Sequence, residues 1–174
     1  MTSPGRPALR VLGIDPGTAS TGYGLVEEVD GEPKALAFGV IKTRAGHPPS
    51  QRLQKIHQKL TELIRQWQPT VAAVEELFFS SNVRTAMAVG QARGVVLLAL
   101  ADAGLEAAEY TPSAIKKAIT GYGKADKAQM QEMIRMLLGL GEVPRPDDAA
   151  DALAVAICHL HSGQLAALSA EKPE

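Results

Sequence analysis

The sequence predicts an α/β fold with a mixed five-stranded sheet and helices on both faces. Extended apolar runs come first, whereas helical periodicity dominates after Leu53. Two short apolar runs, at 71–75 and 105–110, alternate with the helical segments. Three meandering strands followed by strands alternating with helices build this architecture.

The first three strands are predicted to be antiparallel. Leu9–Asp15 is a compact apolar run that Pro16–Gly17 closes, which is typical of a buried strand. Gly22–Val29 and Ala35–Thr43 are the next extended runs, and the Asp30–Gly31 step between them is typical of a hairpin.

Helices and two further strands follow in the rest of the chain. Apolar residues recur at helical spacing from Leu53 to Trp67, and Pro69 ends that helix. The later predicted elements are a strand at 71–75, a long helix from a cap at Ser80 or Ser81 to about Ala103, a strand at 105–110, a helix starting at Thr111 or Ser113, an amphipathic helix at 125–138 and a final helix from Asp147 to about His161. We expect one domain at 9–162, with flexible tails at 1–8 and 163–174.

The composition is typical of a globular protein. The 174 residues, 45% hydrophobic and 21% charged, suit one domain with one sizeable core. The lone Cys158 has no partner for a disulfide or a zinc site. The N-terminus lacks a signal-peptide core, and the longest apolar run, Gly94–Leu100, is far below the ~18 residues of a membrane span. We therefore expect a cytoplasmic protein with no membrane partner.

Basic residues concentrate in two segments although the net charge is only −1. The first segment, residues 42–65, holds one acid, Glu62, and six bases: Lys42, Arg44, Arg52, Lys55, Lys59 and Arg65. The second segment, residues 112–135, holds two acids, Asp126 and Glu132, and five bases: Lys116, Lys117, Lys124, Lys127 and Arg135. Acids gather elsewhere, at 75–76 and 147–151. This pattern suits binding of a polyanion through metal ions, and solvated helix faces share it.

Two acids stand at the carboxyl ends of predicted strands. Asp15 ends the first strand and Glu75 ends the strand at 71–75. In open α/β sheets the ligand crevice lies outside these strand ends. A single acid there could merely cap a turn, but two in comparable positions favour a functional site.

The final helix adds two more acids on one face. Asp148 and Asp151 are spaced i, i+3. Helix capping and the helix dipole can explain why acids stand at Asp147 and Asp148 without any catalytic role. They explain Asp151 less well, because it lies among alanines and the only cation near it in the sequence is Arg145. Four converging carboxylates need a counter-charge, and Mg²⁺ or Mn²⁺ is the natural choice. Two such ions ~4 Å apart can activate a water and stabilise the leaving oxygen of a phosphodiester.

The four carboxylates lie in motifs that together resemble those of the RuvC family of resolvases. The matching segments, in order, are GIDPG at 13–17 with TGYG at 21–24, VEELF at 74–78, GQARG at 90–94 and DAADALA at 148–154. They keep order and spacing over about residues 10 to 161.

The resemblance implies an RNase H-like fold and a homodimer that nicks a Holliday junction symmetrically, with Mg²⁺ or Mn²⁺. Matched by motif, Asp15, Glu75, Asp148 and Asp151 become the catalytic, metal-binding set. Asp147 is an additional acid beside the motif, and the sequence leaves open which of Asp147 and Asp148 faces the metal. The resemblance also suggests the branch-migration proteins RuvA and RuvB as partners.

Further residues are assigned to DNA and to the dimer. Phe78 matches a position where the family places an aromatic ring against unstacked bases, a contact worth ~1–3 kcal/mol, whereas Phe79 is assigned to packing. Lys116 and Lys127 match positions facing DNA, and three more residues are candidates for phosphate contacts: Arg84, Lys117 and Lys124. A small-residue stripe on the long helix suits either its own sheet or a dimer axis: Ala86, Gly90 and Gly94.

Two other functions compete with the nuclease. The opening strand and the Asp–Pro–Gly–Thr turn also resemble the phosphate loop of actin-like kinases, but those proteins need a duplicated half for which this chain has no room. A junction- or RNA-binding relative without catalysis is disfavoured because all four acids are present.

Overall fold

A computed structural model describes residues 8–76 and 81–170. Its elements are β1 (Arg10–Asp15), β2 (Ser20–Val29), β3 (Glu32–Lys42), α1 (Pro49–Trp67), β4 (Val71–Glu75), α2 (Val83–Asp102), β5 (Ala107–Tyr110), α3 (Pro112–Thr120), α4 (Lys127–Leu137) and α5 (Asp147–Ala170). The sheet order is β3-β2-β1-β4-β5. β1, β2 and β3 pair antiparallel, whereas β4 pairs parallel with β1 and with β5. The predicted mixed five-stranded sheet is confirmed.

Each face of the sheet carries its own apolar core. Val11 of β1 points into the core beneath α3, α4 and α5. Its neighbours Leu12 and Ile14 point into the core beneath α1 and α2, as alternation along a strand requires. The predicted helices on both faces are therefore confirmed.

Side-chain caps fix where the helices begin. Asn82 caps α2, because its side chain accepts a hydrogen bond from the backbone N–H of Thr85 at 3.3 Å. The predicted cap at Ser80 or Ser81 is therefore wrong. The prediction for α3 is confirmed, since Thr111 Oγ1 accepts from the N–H of Ala114 at 3.1 Å.

The final helix is longer than predicted. α5 continues past His161 to Ala170, so the expected tail from residue 163 is wrong over 163–170. Gln164 explains the difference: its amide donates to Glu28 Oε2 at 3.1 Å and to the carbonyl oxygen of Gly31 at 3.3 Å. The β2–β3 turn thus supports the turns of α5 that follow His161.

Within the described residues, α2 is the one helix that is long and apolar enough to cross a membrane, judged by length and composition. No uninterrupted apolar run in the sequence indicates α2 as such a helix, because polar residues interrupt its apolar ones. One side of α2 is buried inside the protein, through Ala92, Val96, Ala99 and Leu100.

Candidate metal centre

Three strand glycines allow α5 to lie directly on β1 and β2. A Cβ atom at Gly13 would lie 2.1 Å from the carbonyl oxygen of Ala152, and one at Gly22 would lie 1.9 Å from that of Asp148. At Gly24 it would lie 2.8 Å from Leu153 Cδ2. Glycine inside a strand signals such close approach of another backbone. These glycines therefore position α5, a role that the motifs did not predict although glycine inside a strand signals it.

This packing brings three aspartates together at the carboxyl edge of the sheet. Asp15 ends β1, and Asp148 and Asp151 lie on the first turns of α5. One carboxylate oxygen from each lies within 4.8 Å of the other two. All three side chains are partly buried. The predicted convergence is therefore present in the structure for these residues.

Asp147 is held away from the cluster by α4. Lys127 Nζ lies 2.8 Å from Asp147 Oδ2, and Gln131 Nε2 donates to Asp147 Oδ1 at 3.0 Å. These contacts lower the pKa of Asp147, with the Lys127 hydrogen bond as the first cause. Of the two neighbouring acids that the sequence left open, Asp148 is the one that faces Asp15.

Glu75 joins the cluster from the neighbouring parallel strand. β4 pairs with β1 so that Val74 lies beside Ile14, which places Glu75 next to Asp15. The two carboxyl groups share a hydrogen bond. Glu75 and Asp151 also line one cavity of about 380 Å³, together with Lys116 and Lys127.

The carboxyl groups are hard to ionise together. Burial, followed by the nearby charges of Glu75, Asp151 and Asp148, raises the pKa of Asp15 to about 9. Burial and then Glu75 raise the pKa of Asp151 to about 6. Burial also raises the pKa of Glu75, against the hydrogen bond from Asp15 and the charge of Lys116. Asp15 and Glu75 are therefore a coupled pair that holds a proton more tightly than two isolated carboxyl groups would.

The predicted DNA-contacting residues divide into two groups. Lys116 and Lys127 line the cavity beside Glu75 and Asp151. The other three lysine and arginine candidates are exposed and do not line it: Arg84, Lys117 and Lys124. Phe78 lies outside the described residues.

Buried hydroxyl contacts hold the loop that follows Asp15. Thr21 is fully buried, and its hydroxyl donates to the carbonyl oxygen of Gly17 at 2.6 Å. Thr18 Oγ1 donates to the carbonyl oxygen of Ala88 in α2 at 2.7 Å. Thr43 Oγ1 donates to the carbonyl oxygen of Thr18 at 2.6 Å. The loop is thereby fixed to α2 and to the end of β3, a role that no motif in the sequence indicates.

The small-residue stripe on α2 borders an exposed apolar face. Ala86 and Gly90 are partly buried, whereas Gly94 is exposed and a Cβ atom there would meet nothing within 4 Å. Three large apolar side chains continue the exposed face of the same helix: Val83 (69% exposed), Met87 (63%) and Leu98 (54%). Packing of the helix on its own sheet therefore does not account for Gly94.

The chain is similar to one family of nucleases over most of its length. The family model for crossover junction endodeoxyribonuclease RuvC matches residues 11–159. A protein of that name from Chloroflexus aggregans is 57% identical over 154 residues, which cover 88% of this chain and 94% of that protein. The namesake from Moorella thermoacetica is 58% identical over 149 residues, covering 86% and 89%.

Solved structures give the same result. Thermus thermophilus RuvC superposes with a TM-score of 0.84 at 37% identity, covering 90% of this chain and 96% of that one. The same protein in complex with a Holliday junction substrate gives a TM-score of 0.83 at 35% identity, with the same coverage. The yeast mitochondrial Holliday junction resolvase shares the fold, with a TM-score of 0.69 at 17% identity over 95% of this chain and 83% of that one.

Proposed function

Because this chain belongs to the RuvC family of crossover junction endodeoxyribonucleases, we propose that it resolves four-way DNA junctions by metal-dependent hydrolysis of phosphodiester bonds. One observation carries the proposal. The carboxylates of Asp15, Asp148 and Asp151 converge at the crevice edge of an RNase H-like sheet. The similar T. thermophilus protein has been solved with a Holliday junction as its substrate.

The donor set fits a hard divalent cation. Asp15, Asp148 and Asp151, with Glu75 beside them, offer only carboxylate oxygens, which are the ligands that Mg²⁺ and Mn²⁺ prefer. The raised pKa values of Asp15 and Asp151 have burial as their first cause and the charge of Glu75 as their second, and a bound cation would offset both. We propose that these four residues hold Mg²⁺ or Mn²⁺, with two ions in the site. Such ions, when bound, activate a water and stabilise charge on the leaving oxygen.

The side chains around the cluster have separate tasks. Lys116 and Lys127 place cations on the cavity wall, where they would hold the phosphates of the cut strand. Lys116 lies near Glu75 and lowers its pKa, which favours the charged form of that carboxyl group against the effect of burial. The coupled pair of Asp15 and Glu75 must release its proton before both carboxylates can act as metal ligands. Phe78 is proposed to stack on an unpaired base at the crossover.

The exposed apolar face of α2 supports a homodimer. A four-way junction requires two cuts related by a two-fold axis, which an isologous pair of subunits supplies. Met87 and Leu98 offer apolar area on this face, and Gly94 between them lets a second backbone approach closely. We propose that α2 lies at the dimer axis. Partnership with RuvA and RuvB and a cytoplasmic location are proposed from family membership.

Cleavage of a synthetic junction tests the function. The purified protein is incubated with a labelled four-way junction or a linear duplex of the same sequence, with Mg²⁺, Mn²⁺ or a chelator. We expect paired, symmetric nicks in the junction alone and only with metal. Tight junction binding without nicks in either metal would instead indicate the non-catalytic binding relative. No preference for the junction would mean that the motifs report the fold and not the substrate.

A further inference from the structure

A groove lined by lysines lies between the edge strand β3 and α1. The space is about 390 Å³, and we call it the β3–α1 groove. Lys42 projects from the end of β3, and Lys55 and Lys59 come from α1. Tyr23, Val40, Ile41 and Leu63 contribute to its lining. Lysines of two different elements thus line one concave surface at the edge of the sheet.

Most of this positive charge has no acidic partner. Some bases elsewhere in the structure pair with acids, as Arg10 does with Glu27 and Lys127 with Asp147. Lys59 is also paired, with Glu62 at 2.7 Å. Among residues 8–76 and 81–170, by contrast, neither Lys42 nor Lys55 forms an ion pair, and both side chains are exposed.

The basic end of the groove lies at the same sheet edge as the carboxylate cluster. Asp15 pairs with Gly22, and Ser20 of the same strand pairs with Lys42, two residues further toward the carboxyl edge. With strands about 4.8 Å apart and a rise of about 3.3 Å per residue, Lys42 Cα lies about 12 Å from Asp15 Cα. That distance corresponds to about three to four base steps along a DNA strand.

The charge of the groove falls with distance from that edge. α1 begins at the carboxyl edge, where Arg52 Nε donates to Thr43 Oγ1 at 2.8 Å. It ends at the opposite edge, where the carbonyl oxygen of Trp67 accepts from Arg10. Lys55 therefore lies toward the cluster, whereas Glu62 and Gln66 line the far end. A ligand attracted by the lysines would lie near the cluster and not at the far end.

Hydrogen bonds fix the basic end of the groove relative to Asp15. Arg52 on α1 donates to Thr43, which in turn donates to the carbonyl oxygen of Thr18. Thr18 belongs to the loop that directly follows β1 and Asp15. The groove and the cluster are thus held at a set distance, which suits one extended ligand that touches both.

We propose that the β3–α1 groove binds the sugar-phosphate backbone of a duplex arm of the junction, with Lys42 and Lys55 as phosphate contacts. This inference rests on the proposed function, because the same DNA would have to reach the carboxylate cluster. Phosphate contacts give affinity without sequence preference and fix the position of the DNA. The groove would therefore align the arm that leads away from the cut.

A matched pair of double variants tests the groove. Lys42→Gln/Lys55→Gln removes one base from β3 and one from α1 at the carboxyl edge. Lys34→Gln/Arg65→Gln removes one base from each of the same elements at the opposite edge. Junction binding is measured by fluorescence anisotropy over a range of salt concentrations with Ca²⁺ in place of Mg²⁺, and cleavage by the unmodified protein is measured in parallel with Mg²⁺.

Counterion release sets the expected result. Two lost phosphate contacts reduce the slope of log K against log salt by about 1.8, which corresponds to about 30-fold weaker binding at ~0.15 M salt. The Lys34/Arg65 control should keep the parent slope. The groove proposal is overturned if the parent and Lys42→Gln/Lys55→Gln have equal slopes, or if both double variants lose the same junction affinity. Cleavage by the parent would in either case leave the proposed function intact. If the parent neither binds nor cuts the junction, the proposed function fails and the groove proposal fails with it.

Discussion

Replacing Asp151 by Asn should stabilise the metal-free protein at neutral pH and leave it unchanged at acid pH. Burial and the charge of Glu75 raise the pKa of Asp151 from 3.8 to about 6. A carboxyl group whose pKa is higher in the folded than in the unfolded state adds to the free energy of unfolding, and this contribution is complete at a pH below the pKa of the unfolded state. That contribution is lost as the pH rises through the folded pKa. The parent should therefore lose more stability than Asp151→Asn between about pH 4 and 7, because the variant lacks the contribution of this carboxyl group.

The expected size follows from the pKa change. A difference of about two pH units between folded and unfolded states corresponds to about 3 kcal/mol at most. Asp151 is only partly buried, so solvent screening reduces the expected gain to about 1–2 kcal/mol. For a protein of this length, that gain raises the melting temperature by about 2–8 °C.

Urea unfolding with a chelator, followed from pH 4 to 8, measures this effect. Asp147→Asn is the matched control, because Lys127 lowers the pKa of Asp147 and loss of its charge should reduce stability instead. Adding Mg²⁺ should then stabilise the parent more than Asp151→Asn, since the variant lacks one ligand. Parallel pH profiles for parent and Asp151→Asn would refute the electrostatic account of the cluster.

Three further substitutions probe positioning, assembly and DNA opening. Gly22→Ala should slow junction cleavage about 100-fold, because a Cβ atom 1.9 Å from the carbonyl oxygen of Asp148 must shift α5. The control Gly46→Ala should cut at the parent rate, because a Cβ atom at Gly46 would meet nothing within 4 Å. Leu98→Glu should shift the protein from dimer to monomer in sedimentation analysis, because Leu98 is 54% exposed on α2; an unchanged dimer would remove this face from the interface. Phe78→Ala should reduce the single-turnover cleavage rate more than the junction affinity, and an unchanged rate would remove the ring from base stacking.

The sheet and the position of the carboxylates were predictable because the relevant signals are local. An apolar run that ends in an acid marks the end of a buried strand, as at Asp15 and Glu75. The i, i+3 spacing placed Asp148 and Asp151 on one face of a helix before its neighbours were known. Convergence at one edge then followed from the strand order.

Other features depended on contacts between distant segments. The choice between Asp147 and Asp148 is made by Lys127 and Gln131 of α4, which no local pattern links to α5. The last turns of α5 depend on Gln164 reaching the β2–β3 turn. A sequence window shows propensity and periodicity, and neither identifies a partner that lies many residues away.

Helix geometry also separates neighbours that look equivalent in the sequence. Lys116 and Lys117 are adjacent, yet only Lys116 lines the cavity beside Glu75. Successive helical residues point about 100° apart, so one lysine of such a pair faces the site and the other faces solvent. A run of basic residues therefore indicates a surface but not which member contacts the ligand.

The central claim is that Asp15, Asp148 and Asp151 form the metal-dependent cutting centre, and the pair Asp148→Asn and Asp147→Asn tests it most directly. Both variants remove one carboxylate from the first turn of the same helix, but only Asp148 belongs to the cluster. The measurement is single-turnover cleavage of a fully bound junction with Mg²⁺. We predict that Asp148→Asn abolishes cleavage while binding the junction, and that Asp147→Asn still cuts. Normal cleavage by Asp148→Asn, or loss of cleavage in Asp147→Asn alone, would contradict the assignment of the cluster as the active centre.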